Sequence, residues 1–317
     1  MLFIPVEELK GRKRSALLKF LARYEEICVQ LSAQMRKTSD NVYVVFASEV
    51  SEQDLYGIVS VRKTILHCLP YANTEEPTAM QKDFVQSFTD FFCAERFDMP
   101  VCVNGTHSGT ALILEALSLL EYVPSQINEY NLMKLDIGEF KGKVRQKAWL
   151  AERRTFAQKH GIEVLRCRRD IPAEMRGMLF ELQKQYELEE VVPSCLSFDE
   201  NLCRLKLANS FRTQYILALL KKEGDKELLV SKAGTNAVGI KCAQIGGVFT
   251  HSEYRGRGFC SYLMGVLMFK IVKMRYIPVL FVKKQNELAV KLYASLGFTK
   301  IADYTIGYFS LMEKNMK

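Results

Sequence analysis

Two arginines and two glycines stand together at Arg255–Cys260, in the order Arg-Gly-Arg-Gly-Phe-Cys. The run before them, residues 243–250, has the pattern of an apolar strand, and the run after them, residues 262–269, that of an apolar helix. Glycine lets the backbone turn tightly, and the first amides of a helix lack intrahelical acceptors. Such amides attract anions, and the charges of Arg255 and Arg257 strengthen that field. The sequence therefore predicts a phosphate or pyrophosphate site at this loop.

Two common nucleotide-binding motifs do not fit the loop. A Walker A loop requires G-x-x-x-x-G-K-[ST], which is absent around Gly256. A dinucleotide fingerprint requires a third glycine, where this chain has Ser261. The loop alone is weak support for any function, because many α/β proteins have such turns for packing reasons.

The segment from about residue 162 to 309 resembles the GCN5-related N-acetyltransferases (GNATs). Arg255–Cys260 matches the family's acetyl-CoA signature, Q/R-x-x-G-x-G/A, except at its last position. The strand residues Val248-Phe249-Thr250 precede it, and Asn286-x6-Tyr293-x3-Gly297-Phe298 follows at the expected spacing. The resemblance covers roughly half of the chain and is more specific than the loop alone.

This resemblance implies direct acyl transfer from acetyl-CoA to an amine. The pyrophosphate of coenzyme A would lie on the amides of residues 256–260, and its pantetheine arm would run beside strand residues 245–250. An amide near Val248 or Phe249 would stabilise the oxyanion. The residues implied in cofactor binding are Val248, Phe249, Thr250, Arg255, Gly256, Arg257, Gly258, Phe259, Cys260 and Asn286.

Three of the residues that the resemblance points to have alternative interpretations. Tyr293 occupies the position that protonates the departing thiolate, but it also fits a tyrosine packed in the core. Asn286 either contacts the cofactor or caps the following helix. A thiol at a helix N-terminus can be nucleophilic, yet we interpret Cys260 as a small residue packed under the loop, because reactivity requires exposure.

The general base is left open by the sequence. Relatives often place a glutamate on the strand before the loop, where this chain has Gln244. Glu189 and Glu190 lie where relatives contact the acceptor, and we name them with Tyr293 as candidate catalytic residues. His251, Glu253 or a chain of water molecules are further alternatives.

Composition narrows the class of protein. The chain has 317 residues, 48% of them hydrophobic and 25% charged, which is typical of a globular protein with about two domains. The absence of a long apolar run, a signal-peptide pattern and zinc-type histidine spacing predicts a cytoplasmic protein without a membrane span or metal site. The nine cysteines favour reduced buried thiols.

The net charge of +8 is compatible with anionic ligands or acidic partners. Basic residues concentrate between Lys141 and Arg154. Because Trp149 is the one aromatic residue among them, a solvated helical linker is favoured over a nucleic-acid site.

The order of apolar runs predicts two mixed α/β (α+β) domains. We expect a smaller GNAT-like α/β domain at residues 1–140, a helical connector at 141–159 and a GNAT domain at 160–317, with a mixed, mostly antiparallel sheet splayed near residues 248 and 281. Among its elements we expect a helix at 15–35 and a strand at 131–136. The segment Val101–Gly109 resembles a degraded copy of the glycine loop without its arginines, in a domain that lacks cofactor.

The predicted function is acetyl-CoA-dependent N-acetyltransfer to a small-molecule amine or a protein lysine. The alternative is a catalytically silent acyl-CoA-binding sensor or interaction module. The sequence identifies neither the acceptor, nor the acyl length, nor the oligomeric state.

Overall fold

The computed structural model describes residues 1–47, 55–72, 78–95, 97, 102–145, 147–192 and 197–312. The chain divides into two compact units. Unit 1 comprises Met1–Leu132, Val282–Gln285 and Lys300–Lys317, and unit 2 comprises Met133–Phe281 and Asn286–Thr299. The boundaries drawn from the sequence, at 140 and 160, stay a prediction.

Twelve strands lie within the described residues. They are β1 Leu2–Pro5, β2 Val42–Phe46, β3 Leu55–Val61, β4 Thr64–Cys68, β5 Cys102–Thr106, β6 Tyr122–Leu135, β7 Ile162–Cys167, β8 Ile216–Glu223, β9 Lys226–Val238, β10 Cys242–Thr250, β11 Ile277–Lys283 and β12 Phe298–Leu311.

Ten α-helices lie in the same parts of the chain. They are α1 Gly11–Tyr24, α2 Val29–Met35, α3 Ala79–Glu95, α4 His107–Ser118, α5 Ile137–Arg145, α6 Lys147–His160, α7 Ala173–Tyr186, α8 Glu200–Thr213, α9 Phe259–Lys273 and α10 Glu287–Ser295. A single π-helical turn, Glu187–Val191, continues α7.

In unit 1, strands β1 to β4 pair antiparallel in chain order, β4 pairs parallel with β5, and β12 pairs antiparallel with β5. Alternate residues of β2 point to opposite faces of this sheet. Val42 and Val44 pack with α1, while Tyr43 and Val45 pack with α3 and α4. Helices therefore cover both faces, which explains why every residue of β2 is buried.

In unit 2, strands β7 to β10 pair antiparallel in chain order, and β10 pairs parallel with β11. Helices α7 and α8 bury Leu179 and Leu207 against one face, with Ala218 of β8 and Phe249 of β10. Helix α9 packs on β8, β9 and β10. These two layers position the loop between β10 and α9.

The two units repeat one order of elements. Each has four antiparallel strands, a helix, a parallel fifth strand and a further helix, with two helices between its first and second strands. The predicted two-domain α/β fold with a mostly antiparallel sheet is confirmed.

The repeat corrects the prediction for Val101–Gly109. The strand β5 and helix α4 in this segment correspond to β11 and α10, not to β10 and α9. The counterpart of the glycine loop is therefore the link between β4 and α3, and the copy proposed from glycine spacing was wrong. Val101 itself lies outside the described residues.

Two elements differ from the sequence prediction. The helix expected at 15–35 is interrupted by a 3₁₀ turn at Glu25–Ile27 and by Cys28, whose φ of −142° is not helical. This break allows Ser32 Oγ to donate to the buried carboxylate of Glu25. The strand expected at 131–136 begins earlier, at Tyr122.

Candidate functional site

An irregularity in β10 forms one side of the site. β10 pairs with β11 from Cys242↔Ile277 to Ile245↔Leu280. Its register with β9 then shifts between Gly246 and Phe249. At this bulge Gly247 has a φ of 62°, a left-handed conformation that favours glycine. The bulge turns the backbone just before the strand reaches the loop.

The predicted anion loop is exposed. Residues 255–258 are all exposed, and both glycines are left-handed, with φ of 74° at Gly256 and 79° at Gly258. Gly258 is the N-cap of α9, and no described side chain caps its amides. Because the turn is exposed and the N-terminus of α9 lacks a side-chain cap, the loop has the features of an anion site.

The two arginines of the loop have different surroundings. Arg255 Nε donates to the Thr250 carbonyl at 2.9 Å, and its Nη2 lies 2.7 Å from Glu189 Oε2. Arg257 lies over the Tyr254 ring, with Cζ 5.4 Å from the ring centroid. Arg255 is thus an anchor between β10 and the end of α7, while Arg257 supplies positive charge at the turn.

Cys260 lies in the first turn of α9. Burial raises the pKa of its thiol to about 11, against a smaller opposing effect of the Thr250 side chain. Burial thus favours the neutral thiol at this half-buried residue, in agreement with a packing role for Cys260.

Tyr293 is buried in α10, with 8% of its surface exposed. Burial raises the pKa of its phenol well above 10, and the nearby Cys260, Tyr186 and Glu190 act in the same direction. Cys260 and Glu190, two of the other predicted site residues, therefore lie near enough to Tyr293 to influence its pKa. The phenol is protonated at neutral pH, as a proton donor must be.

Asn286 caps α10. Its Oδ1 accepts a hydrogen bond from the Ala289 amide at 3.1 Å. Gly297 follows the same helix with a φ of 96°, as a C′ glycine does. The capping interpretation of Asn286 is confirmed, and its contact with a cofactor stays a prediction.

The candidate bases are differently placed. Glu189 is held by Arg255, whereas Glu190 acts electrostatically on Tyr293. Gln244 is 4% exposed, and its Nε2 has no partner among the described atoms. His251 Nδ1 accepts from the Glu253 amide at 3.4 Å, so the imidazole caps a short turn.

Two polar residues of the site were not found from the sequence. Lys232 is a lysine with 3% exposure in β9, and its Nζ donates to the Gly247 carbonyl at 2.9 Å. Tyr186, at the end of α7, accepts a hydrogen bond from the Gly247 backbone. A lysine within the apolar run Leu228–Ala233 was the available signal, because lysine is rarely buried without a partner.

No described helix is long and apolar enough to cross a membrane. No group of three or more His, Cys, Asp or Glu residues in the described ranges could hold a metal ion. In the basic segment, Arg153 Nη1 donates to the Tyr262 carbonyl at 2.7 Å, and its Cζ lies 4.3 Å from the centroid of the Trp149 ring. Arg153 is therefore a packing residue of unit 2.

Comparison with known proteins agrees with this architecture. The family model described as FR47-like protein matches residues 225–306, which include β10, the loop, α9 and α10. No curated protein matches the chain.

Three solved structures resemble nearly the whole chain. A GNAT-family acetyltransferase from Colwellia psychrerythraea is 11% identical, with 95% of this chain and 98% of that chain covered and a TM-score of 0.50. A tandem GNAT protein from the clavulanic acid biosynthesis pathway is 12% identical, with 98% of both chains covered and a TM-score of 0.51. A Drosophila protein is 12% identical, with 93% and 89% covered and a TM-score of 0.55.

The resemblance predicted from the loop and from the segment around Tyr293 is thus confirmed. Residues 225–306 form an FR47-like, GNAT-related segment, and the chain has the fold of the GCN5-related N-acetyltransferases.

Proposed function

We propose that the protein transfers an acetyl group from acetyl-CoA to the amine of a small molecule or of a protein lysine. The observation that carries this proposal is the exposed turn at residues 255–258, with two left-handed glycines at the uncapped N-terminus of α9. This turn follows directly on the bulged strand β10. The combination suits a ligand with a diphosphate at one end and an extended arm along a strand.

Each part of the cofactor has a counterpart in the chain. The amides of residues 256–260 would bind the diphosphate, and the Arg257 guanidinium would add a full charge. The backbone of residues 245–250 would hydrogen-bond the pantetheine arm, in the manner of an added strand. The bound cofactor would supply an activated thioester, and an amide at Val248 or Phe249 would stabilise the developing oxyanion.

Tyr293 is the proposed general acid. Its burial among Cys260, Tyr186 and Glu190 keeps the phenol protonated at neutral pH. The same burial makes a free phenolate costly, so the phenol would pass its proton to the thiolate only as the carbon–sulfur bond breaks, along the hydrogen bond that joins them. A thiolate in a desolvated site has few other donors, which makes this one hydrogen bond valuable.

Glu190 is the proposed acceptor of the amine proton. It lies close enough to Tyr186 and Tyr293 to raise the pKa of both phenols. Glu189 follows the same turn but is paired with Arg255, so its charge is already compensated. We assign Glu189 to holding the loop arginine and Glu190 to proton transfer, directly or through water.

We place the reaction in the cytoplasm. The described cysteines are free, and most of them are buried. Free thiols in this number suit a reducing compartment.

The test is release of free thiol from acetyl-CoA across a panel of amines, with wild type and Tyr293→Phe measured side by side. We expect turnover by wild type, and a kcat lowered roughly 10²- to 10⁴-fold in the variant, as for loss of a general acid. The affinity for coenzyme A, measured by calorimetry, should stay within about twofold, because Tyr293 would act on the leaving group.

A silent acyl-CoA-binding module is the alternative. It predicts binding of coenzyme A with no thiol release from any amine, including lysine peptides. Failure of coenzyme A to bind at all would overturn both interpretations.

A further inference from the structure

Lys232 is buried, and burial of a charged lysine is energetically unfavourable. It lies in β9 opposite Phe249, and the lysine is 3% exposed. Apolar residues of α7, α8 and β8 surround this face of the sheet. A buried ammonium group costs several kcal/mol unless specific partners compensate for it. The partners of Lys232 therefore show what the residue does.

Those partners converge on one residue, Gly247, and hold the peptide groups on both sides of it. Lys232 Nζ donates to the Gly247 carbonyl at 2.9 Å, while the Gly247 amide donates to the Tyr186 hydroxyl. The Lys232 Nζ also lies 4.2 Å from the centroid of the Tyr186 ring, within the range of a cation–π contact. Both polar groups of Gly247 are thus held by side chains, and the two side chains contact each other.

The surroundings of Gly247 are tight, and its backbone conformation favours glycine. A Cβ at this position would lie 3.3 Å from Lys232 Nζ, and the φ of 62° is strained for any residue with a side chain. Gly247 is the centre of the bulge between Gly246 and Phe249. Since peptide planes are rigid, fixing Gly247 also fixes the direction of the next amide, that of Val248.

We infer that Lys232 and Tyr186 are positioning residues for acyl transfer, which clamp the peptide groups on both sides of Gly247 so that the Val248 amide is directed at the site of the thioester oxygen. This inference rests on the proposed function and names the groups that shape its oxyanion site. Preorganised amides stabilise a developing oxyanion because they need no reorientation during the reaction. Lys232 is a positioning residue and not a catalytic one, since its Nζ is hydrogen-bonded to the Gly247 carbonyl.

The charges around Lys232 are compatible with this role. Burial lowers the pKa of its amine to about 7, while Glu187, Cys203 and Cys167 oppose that shift. Glu187 is itself buried and lies 3.6 Å from Lys206 Nζ. A lysine amine donates hydrogen bonds in both its protonated and its neutral form, so the clamp persists on either side of pH 7.

The experiment compares wild type with Lys232→Met, which keeps the volume but loses the donor. Hydrogen exchange of the amides at 246–249 reports the clamp without any need for turnover. Thiol release reports kcat, and calorimetry reports the affinity for coenzyme A, which carries no acyl group. Lys222→Met in β8 is the control, because Lys222 is an exposed lysine paired with Glu227 at 3.3 Å.

For Lys232→Met we expect faster exchange at 246–249 and a kcat lowered about tenfold to hundredfold, with the dissociation constant of coenzyme A within about twofold of wild type. Lys232→Arg, which restores a donor, should recover part of the loss. Tyr186→Phe keeps Lys232 but removes the acceptor of the Gly247 amide, and it should show the same pattern. This variant replaces Lys232→Met in the test if Lys232→Met does not fold.

Unchanged exchange at 246–249 in both Lys232→Met and Tyr186→Phe would overturn the clamp. Equal losses of kcat and of coenzyme A affinity would also overturn it, since they would indicate general damage to the site. If wild type releases no thiol with any amine, the proposed function fails, and the exchange data alone decide whether the clamp exists.

Discussion

Lys232 and Glu189 are two ionisable residues near the same strand. Because one is buried and the other exposed, they contribute differently to the stability of the fold. The lysine is almost fully buried, whereas the Glu189 and Arg255 side chains are 44% and 48% exposed. Solvent screens the exposed ion pair, so its net contribution to stability is about 1 kcal/mol or less. The buried amine is not screened, and its contribution therefore depends strongly on pH.

The pKa of Lys232 predicts the direction of that dependence. It is about 7 in the folded chain, below the ordinary value of 10.5. Between these values the unfolded chain binds a proton that the folded chain does not, so stability rises with pH. We expect the free energy of unfolding of wild type, relative to Lys232→Met, to increase from pH 7 towards pH 10 by at most about 1.4 kcal/mol per pH unit. Urea unfolding of both proteins at several pH values measures this difference. If the free energies of unfolding of the two proteins change in parallel with pH, the lowered pKa of Lys232 is contradicted.

Glu189 and Glu190 should respond differently to replacement by glutamine. Glu190→Gln should lower kcat roughly 10²-fold or more, because an amide does not accept the amine proton. Glu189→Gln, the matched control, should change kcat by only a few fold and stability by less than about 1 kcal/mol, since it breaks an exposed ion pair. Steady-state thiol release over pH 6–9 distinguishes them, and the reverse ranking would make Glu189 the base.

At the scale of elements, the site is the junction of β10, the exposed turn and α9. β10 loses its regular register at the bulge, and the turn then needs two left-handed residues before α9 can begin. Gly258 also lies against the Phe156 ring of α6. A Cβ at Gly258 would lie 3.3 Å from atoms of that ring, which is closer than an ordinary contact. Gly256 therefore requires glycine for its backbone conformation alone, whereas Gly258 also requires it because space is short.

Alanine substitutions should distinguish the effect of backbone strain from the effect of the contact with Phe156. Gly256→Ala adds backbone strain in open space and should cost about 1 kcal/mol. Gly258→Ala adds the contact with Phe156 and should cost more, with at least tenfold weaker binding of coenzyme A. Gly224→Ala, in the exposed β8–β9 turn at a φ of 61°, is the control, with similar strain and unchanged binding. Thermal unfolding and calorimetry test this ranking, which fails if Gly224→Ala weakens binding equally.

Local features of this junction were predictable from the sequence. Glycine spacing indicated the turn, and Asn286 and Gly297 indicated both ends of α10, because caps depend on nearby backbone geometry. The clamp on Gly247 was not predictable, since it joins residues 186, 232 and 247 through tertiary packing. The prediction of a second, degraded glycine loop from Gly105 and Gly109 was wrong, since the small size of these residues makes room for the buried His67 ring.

At the scale of the whole molecule, one pairing is not apparent from the order of elements. Strand β12 follows α10 in the chain, yet its residues Tyr304–Tyr308 pair with Cys102–Thr106 of β5 in unit 1. The partner of β12 could not be predicted from the sequence, because pairing between distant segments leaves no local signal. Unit 1 is therefore discontinuous in sequence.

Removal of β12 should consequently damage unit 1. A chain that ends at Thr299 leaves β5 with an unpaired edge, which favours aggregation and weakens the buried cluster that Phe309 joins. We expect loss of exchange protection in β5 and a lower unfolding midpoint. A chain that ends at Met312 is the control and should behave as wild type. Equal protection of β5 in the two chains would contradict the assignment of β12 to unit 1.

The same pairing affects the order in which the protein can be completed during translation. The ribosome synthesises β5 long before β12, with all of residues 133–281 in between. Until β12 emerges, β5 lacks the neighbour that pairs with it at Tyr304–Tyr308. The first unit to be translated is therefore not the first to be finished, and the nascent chain has an open sheet edge to protect for most of its synthesis.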